Sequence, residues 1–396
     1  MKIVMLGPFG LRPKGTMSVR ALPMARALAA NGHQVTVLIP PWDHPADAGR
    51  EWQQDGARVV NLALPSAPPG LLQLWMTGRL VRTALALRPD VIHFFKPKAY
   101  AGLSHWLAWL LRGLHLAAPR LRLIVDEDDW ERAWNQVAPY SAAQKRFFAW
   151  QEGWGLRHAD AVIVASQELR RLVAAEGIAA RRVFYVPNGV WPRSAEKGAD
   201  RSRAVRMLWE LDDAPVILLY SRFFEFRLER IVAIMQRVGA QQPSAKLLII
   251  GEGLFGQETE LDDRLAAADL ADAVRFCGWV PADQLPHHFA AADVAIFPLD
   301  DTPINRAKCS VKLTELLAAG LPVVADAVGQ NNEYIVHGQT GWLVPPEDDA
   351  AFADAVSTLL GDRELRRRLG TAAAQRIQED FAWPRLAAEI EKAYTL

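Results

Sequence analysis

Ser310 to Asp326 reads SVKLTELLAAGLPVVAD, which joins a helix start, a Lys/Glu pair and an apolar strand in one run. Ser310 is placed to cap a helix whose first free N–H groups and positive dipole end suit a diphosphate. Gly320-Leu321-Pro322 stops that helix before the strand Val323–Ala325. Lys312 and Glu315 stand three apart on one helical face, with Leu313, Leu316 and Leu317 on the opposite, core-facing stripe. A cation near the first turn meets phosphate oxygens, and a carboxylate one turn deeper accepts two hydroxyl hydrogens from a ribose. The combination fits a clamp for a nucleotide sugar; the alternative is a surface pair on an ordinary crossover helix.

Other reactive residue types stand where apolar runs end. Ser221-Arg222 closes the run Val216–Tyr220, and Arg227 follows five residues later; two guanidinium groups there would neutralise a diphosphate, the rival being an Arg222/Glu225 surface pair. Gly251 and Gly253 follow Ile249-Ile250, as suits a base or ribose approaching the backbone. Near the N-terminus, glycines 7, 10 and 15 lead into a helical pattern without the dinucleotide spacing, and Gly15 is the choice for backbone approach to a phosphate, against a plain loop. The acidic run Asp126-Glu127-Asp128-Asp129 follows the predicted strand Leu121–Val125, which points its carboxylates to a sheet end and makes Asp128 a candidate for acceptor binding or proton acceptance.

The elements that must position these residues read as two wound halves. At 396 residues the chain is long enough for two cores, and 51% hydrophobic with 23% charged residues is a globular composition. Lys+Arg and Asp+Glu balance at 45 each, which removes the electrostatic case for a nucleic-acid partner. Cys277 and Cys309 form neither a disulfide framework nor a zinc pattern, which favours a reducing, cytoplasmic setting. The start MKIVMLGPFG is strand-like and too short for a signal peptide core.

Predicted strands Lys2–Leu6, Val35–Ile39, Arg58–Leu62, Val91–Phe95, Leu121–Val125, Ala161–Ala165 and Val183–Val186 make one α/β half over residues 1–190. Pro187 to Arg203 reads as a linker. Val216–Tyr220, Ala245–Ile250, Val274–Cys277, Val294–Phe297 and Pro322–Ala325, with helices such as Leu228–Val238 and Gln257–Ala268, make a second half over 204–379. Residues 380–396 are expected to pack back on the first half. Ten of the 14 tryptophans precede residue 200, several beside arginines (Trp75 with Arg79 and Arg82; Trp106 and Trp109 with Arg112), which suits either an interfacial membrane surface or core packing.

The ordered set of glycine loop, DVIH, PNG, YSR, IIGEG, CGWV, IFPL, KLTELLAAGLPVVAD and HGQTGWLVPPED resembles the group 1 family of glycosyltransferases. That resemblance implies the GT-B fold, two Rossmann-like domains facing across a cleft. It further implies metal-independent transfer from a nucleotide sugar, with no prosthetic group and usually with retention. Carried over by position, Glu315 binds the ribose, Val311 and Lys312 the diphosphate, and Arg222 the phosphate charge, with Arg227 preferred to Arg230 as second cation.

Two positions depart from the family. Eight residues before Glu315, where the family has a glutamate for the sugar, stands Ala307, flanked by Arg306 and Lys308 in a manner that fits an acidic donor sugar. His93 matches the first of two family histidines, but Phe95 replaces the second, leaving Lys96 and Lys98 to supply the electrostatics. Asp126 and Asp128 also form a DxD pattern, the metal-binding signature of glycosyltransferases with a different, single-sheet fold.

The expectation is a hexosyltransferase acting from a nucleoside-diphosphate sugar on a hydroxyl acceptor, such as a lipid-linked sugar, in polysaccharide, glycolipid or envelope glycan synthesis. It would be a cytoplasmic protein with peripheral contact to the inner face of a membrane. A GT-B epimerase and a non-catalytic nucleotide-sugar-binding partner are the rival readings.

Overall fold

The computed structural model describes residues 1–12, 15–65, 71–192, 199–253 and 255–396. It divides into two compact units: Met1–Asn188 with Ala307–Cys309 and Trp383–Leu396, and Gly189–Arg306 with Ser310–Ala382.

The strands of unit 1 are β1 (Lys2–Leu6), β2 (Gln34–Ile39), β3 (Glu51–Gln54), β4 (Ala57–Asn61), β5 (Val91–Phe95), β6 (Arg122–Glu127), β7 (Ala161–Val164) and β8 (Val183–Tyr185). They lie in the order β3-β4-β2-β1-β5-β6-β7-β8. The central strands are apolar on both faces because helices cover both, as parallel pairing requires. Only β3 runs antiparallel, turned by Asp55-Gly56 at φ 49° and 82°. The sequence reading passed over this strand: EWQQ lacks apolar alternation, and the Asp-Gly turn is its one signal. The C-terminal helix Trp383–Thr395 packs in this unit, beside β6, β7 and β8.

Unit 2 holds β9 (Val216–Tyr220), β10 (Lys246–Ile250), β11 (Val274–Phe276), β12 (Val294–Phe297), β13 (Val323–Asp326) and β14 (Trp342–Val344), in the parallel order β11-β10-β9-β12-β13-β14. The three-residue β14 was too short to read from its sequence. In both sheets the first strand lies at the centre and later strands are added to its two sides. The loops after β1 and β5, and after β9 and β12, therefore flank topological switch points, where open α/β sheets bind ligands.

Two sequence expectations shift. The linker expected at Pro187–Arg203 overlaps a helix, Ala199–Leu208, whose Val205 is buried in the unit 2 core; residues 193–198 lie outside the described residues. Asp126 and Glu127 do not follow the strand but belong to β6, paired opposite Phe95 and Val164. Their side chains are therefore fully buried rather than displayed at the sheet end.

Candidate active site

In unit 2 the candidate residues gather at the end of β9. The helix Val311–Ala318 begins at Ser310, whose backbone is extended and whose side chain makes no capping hydrogen bond. The first-turn N–H groups, Val311 among them, lack intrahelical acceptors by geometry. Leu313, Leu316 and Leu317 anchor the helix in the core, which leaves Lys312 and Glu315 half-buried on its other side. Lys312 Nζ lies 5.5 Å above the Tyr220 ring. Burial and then the Glu315 carboxylate push the phenol's pKa up. Sequence reasoning took Tyr220 as a strand residue only, although it directly precedes Ser221-Arg222.

Three arginines that the sequence places within nine residues have separate fates. Arg222 is half-buried and makes no ion pair or hydrogen bond with another described residue. Its backbone is fixed from both sides. Phe223 sits at φ 66°, an uncommon conformation for a bulky residue, held because its ring is 2% exposed in the core and its N–H donates to Ser221 Oγ at 2.9 Å. Arg227 is 61% exposed, with Asp300 and Glu347 at 3.6 and 3.5 Å. Arg230 is buried and saturated by Asp326 at 2.9 Å, Asp349 at 2.7 Å and Asp300 at 3.2 Å, a structural knot.

Gly251, expected to face a ligand, is required by the protein itself. At φ 121° a Cβ there would stand 1.9 Å from the Ser221 carbonyl oxygen, so the glycine lets β10's end pass close to Arg222's loop. Arg306 donates two hydrogen bonds to Asp301, at 2.5 and 2.7 Å, so its charge is already met by a carboxylate.

Unit 1 arranges charge differently. Arg20, which the sequence reading missed because it hides among apolar neighbours of the π-helical turn Met17–Ala21, is fully buried. It meets Asp126 through two hydrogen bonds of 2.7 and 2.9 Å, and also Asn188 and the Val186 carbonyl. Burial opposes ionisation of Asp126, but Arg20 outweighs it and holds the carboxyl below its usual range.

His93 does not reach a sheet-end site. Its Nδ1 lies 2.7 Å from the Tyr394 hydroxyl and its Nε2 3.4 Å from Asp126, all three side chains being buried. Burial lowers its pKa. Phe95, on the same face of β5, stacks on the His93 ring at 4.5 Å. The helix Trp383–Thr395 thus covers the face on which the family's second histidine would stand.

Lys96 is likewise no free cation. Its ammonium lies 2.9 Å from Asp128, 2.6 Å from Asp129 and 3.1 Å from Glu131. Burial lowers its pKa, and the three carboxylates more than reverse that. Asp128 accepts a hydrogen bond from Thr16 Oγ1 at 3.1 Å, which ties it to the glycine loop that ends at Gly15. Burial raises its pKa to about 6 against the pull of Lys96. A Cβ on Gly15 would touch only Val19, at 3.8 Å, so the protein does not require glycine there. Both carboxylates of the DxD pattern are committed to protein cations, Asp126 to Arg20 and Asp128 to Lys96. Ala307 is buried in unit 1's core with Val125, Leu156 and Val164, and its carbonyl accepts from Ser166 at 2.8 Å; a glutamate there would bury an unmatched charge.

Comparison with known proteins follows the two halves. Residues 15–189 match the family described as glycosyl transferase 4-like domain, and residues 214–362 match glycosyl transferases group 1. Glycogen synthase of Mycobacterium tuberculosis is 26% identical over 401 residues, 94% of this chain and 88% of that protein. The GDP-mannose-dependent alpha-(1-6)-phosphatidylinositol monomannoside mannosyltransferase of the same organism is 24% identical, with 98% and 96% covered. Sucrose-phosphate synthase from Thermosynechococcus elongatus superposes with a TM-score of 0.75 at 25% identity, covering 100% of this chain and 98% of that one. Strand order, sequence and superposition agree, and the chain belongs to the group 1 glycosyltransferases, enzymes of the GT-B fold that move a glycosyl group from a nucleotide sugar.

Proposed function

We propose that this enzyme transfers a hexose from a nucleoside-diphosphate sugar to a hydroxyl acceptor with retention at the anomeric carbon. The observation that carries the reading is Arg222, a half-buried guanidinium at a switch-point strand end with no carboxylate partner among the described residues. A charge so placed is matched by an anionic ligand rather than by the protein.

In this reading the Val311 N–H, Lys312 and the helix start at Ser310 hold the diphosphate, and Glu315 accepts the ribose hydroxyls. Arg222, with a smaller share from Arg227, stabilises the charge that grows on the leaving phosphate. The anomeric C–O bond breaks toward that phosphate, whose oxygen takes the acceptor's proton on the same sugar face as the new C–O bond forms. No covalent enzyme intermediate is needed. Asp128 orients the acceptor hydroxyl, Lys96 and Thr16 hold Asp128, His93 and Arg20 fix Asp126 beneath it, and the Gly15 backbone approaches a phosphate.

Because protein cations occupy the DxD carboxylates, transfer proceeds without a metal, and activity survives EDTA. Restoration of a lost activity by Mn²⁺ would overturn that point. Thermal stabilisation by UDP-, GDP- or ADP-sugars identifies the donor, since a ligand bound only by the native state raises apparent stability. An inverted anomeric signal in the NMR spectrum of the product would end the retaining reading.

The acceptor side favours a lipid-linked sugar. The mycobacterial mannosyltransferase carries a phosphatidylinositol acceptor in its name. In unit 1, Trp106 and Trp109 on one helix and Phe147 and Trp150 on the helix Ala142–His158 are exposed, with Lys145 and Arg146 beside the latter pair. Aromatic rings with adjacent cations suit the headgroup region of an anionic leaflet, and among the described residues no helix is long and apolar enough to cross a membrane. Co-sedimentation with anionic liposomes at low salt, weakened by Trp106→Ala with Trp150→Ala, is the expected result; no binding would point to a water-soluble acceptor.

A further inference from the structure

We infer that Ser221 is a positioning residue for Arg222, its hydroxyl closing the turn that carries the guanidinium. This rests on the reading of Arg222 as the group that meets the leaving phosphate, and it names the residue that keeps Arg222 in place.

The backbone starts the argument. β9 ends at Tyr220, and Ser221 extends its ladder by one bond, donating its N–H to the Ile250 carbonyl at 3.0 Å. Two residues later the chain has left the sheet direction, with Phe223 at φ 66°. A bulky residue enters that region only where its surroundings hold it. Two contacts do so here. The Phe223 ring is 2% exposed, in the core cluster of Phe226, Leu228 and Ile231, and the Phe223 N–H donates to Ser221 Oγ at 2.9 Å. That second bond runs from a serine side chain to the N–H two residues on, so Arg222 is the residue it spans.

A hydroxyl carries one hydrogen and two lone pairs, so it accepts and donates at once. Ser221 accepts from Phe223 and donates to Glu225 Oε2 at 3.2 Å. Glu225 is itself buried, and its carbonyl accepts from the Asp300 N–H at 3.0 Å and from Asn305 Nδ2 at 2.7 Å. The turn around Arg222 is thereby fastened to the segment that follows β12. On the other side the Ser221 carbonyl passes so close to Gly251 that a Cβ there would stand 1.9 Å away. Ser221 is 5% exposed, which makes it a support for its neighbour rather than a contact for a ligand. Alanine at this position would leave the Phe223 N–H and the Glu225 carboxylate each one partner short and would release the turn. A misplacement of about 1 Å in a group that acts on the transition state costs up to about 100-fold in rate.

The test measures kcat and donor KM for wild type, Ser221→Ala, Ser221→Cys, Arg222→Ala and the Ser221→Ala/Arg222→Ala double variant. The donor is the nucleotide sugar that gives the largest thermal stabilisation, and each kcat is normalised to the calorimetric stoichiometry of the matching nucleoside diphosphate, which counts folded protein only. Ser221→Ala should lower kcat by about 10- to 100-fold, with donor KM within about threefold. Ser221→Cys has a similar size and a weaker acceptor, and should lower kcat at least about threefold. In the Arg222→Ala background Ser221→Ala should cost less than about twofold, because the group it positions is gone.

Full kcat in Arg222→Ala sinks the reading of Arg222 itself. If Arg222→Ala is slow while Ser221→Ala turns over at the wild-type rate, only the inference about Ser221 falls. It falls equally if Ser221→Ala costs the same in both backgrounds, the mark of a merely structural serine. Should Ser221→Ala yield no folded protein, Ser221→Cys decides, and an unchanged kcat there overturns the inference.

Discussion

The two switch points treat cations in opposite ways. In unit 1, Arg20 is fully buried on Asp126 and Lys96 is enclosed by Asp128, Asp129 and Glu131, so each positive charge is spent inside the protein. In unit 2, Arg222 has no such partner among the described residues, although Arg230, eight residues later, has three carboxylates. A saturated cation is a scaffold, because removing either partner strands a buried charge. An unsaturated one, held in place by a strained neighbour such as Phe223, is available to an incoming anion. The same residue type thus serves structure in one place and, in the reading proposed above, binding in another, and the carboxylate count around it separates the two.

The comparison breaks first at Arg20. Arg20→Ala should cost about 3–5 kcal/mol of stability, because Asp126 would be left buried and unpaired. Denaturant unfolding at an unchanged midpoint would show that the unit 1 pair is not a scaffold. Arg222→Ala should leave unfolding unchanged and lower kcat by roughly 100- to 1000-fold, the usual effect of removing one preorganised group that stabilises growing negative charge. Full turnover in that variant would place the anion site elsewhere.

Smaller effects sharpen the picture. Arg227→Ala should lower kcat by less than about tenfold, since its exposed side chain is screened by water and salt. Asp128 reports on the acceptor side through pH. Burial raises its carboxyl to about 6, so the ionised form is present above that value and lost below it. The kcat/KM profile should therefore fall on the acid side of about pH 6, and Asp128→Asn should remove that limb while lowering the plateau. An unchanged acid limb in Asp128→Asn assigns it to another group.

Much of the fold was legible because apolar β-strand runs and helix stops are local properties. The strands Lys2–Leu6, Val91–Phe95 and Val294–Phe297 fall where their residues predict. So does the helix starting at Ser310, because its apolar stripe and Gly-Leu-Pro stop lie close together along the chain. Spacing alone set Lys312 and Glu315 on one face. β3 and β14 escaped since they are short and draw their definition from a neighbour across the sheet.

What the sequence determined by itself was residue type and local spacing: two wound α/β halves, a helix start suited to phosphate and a strand ending in Arg222. Tertiary structure decided which charges are free. Arg20 and Asp126 are 106 residues apart in sequence, and His93 and Tyr394 are 301 apart. Nothing in either local stretch announces its partner, because a salt bridge or buried hydrogen bond depends on distance in space, and folding alone sets that distance. The same holds for Gly251, whose lack of a side chain is dictated by the Ser221 carbonyl just past the end of the adjoining strand.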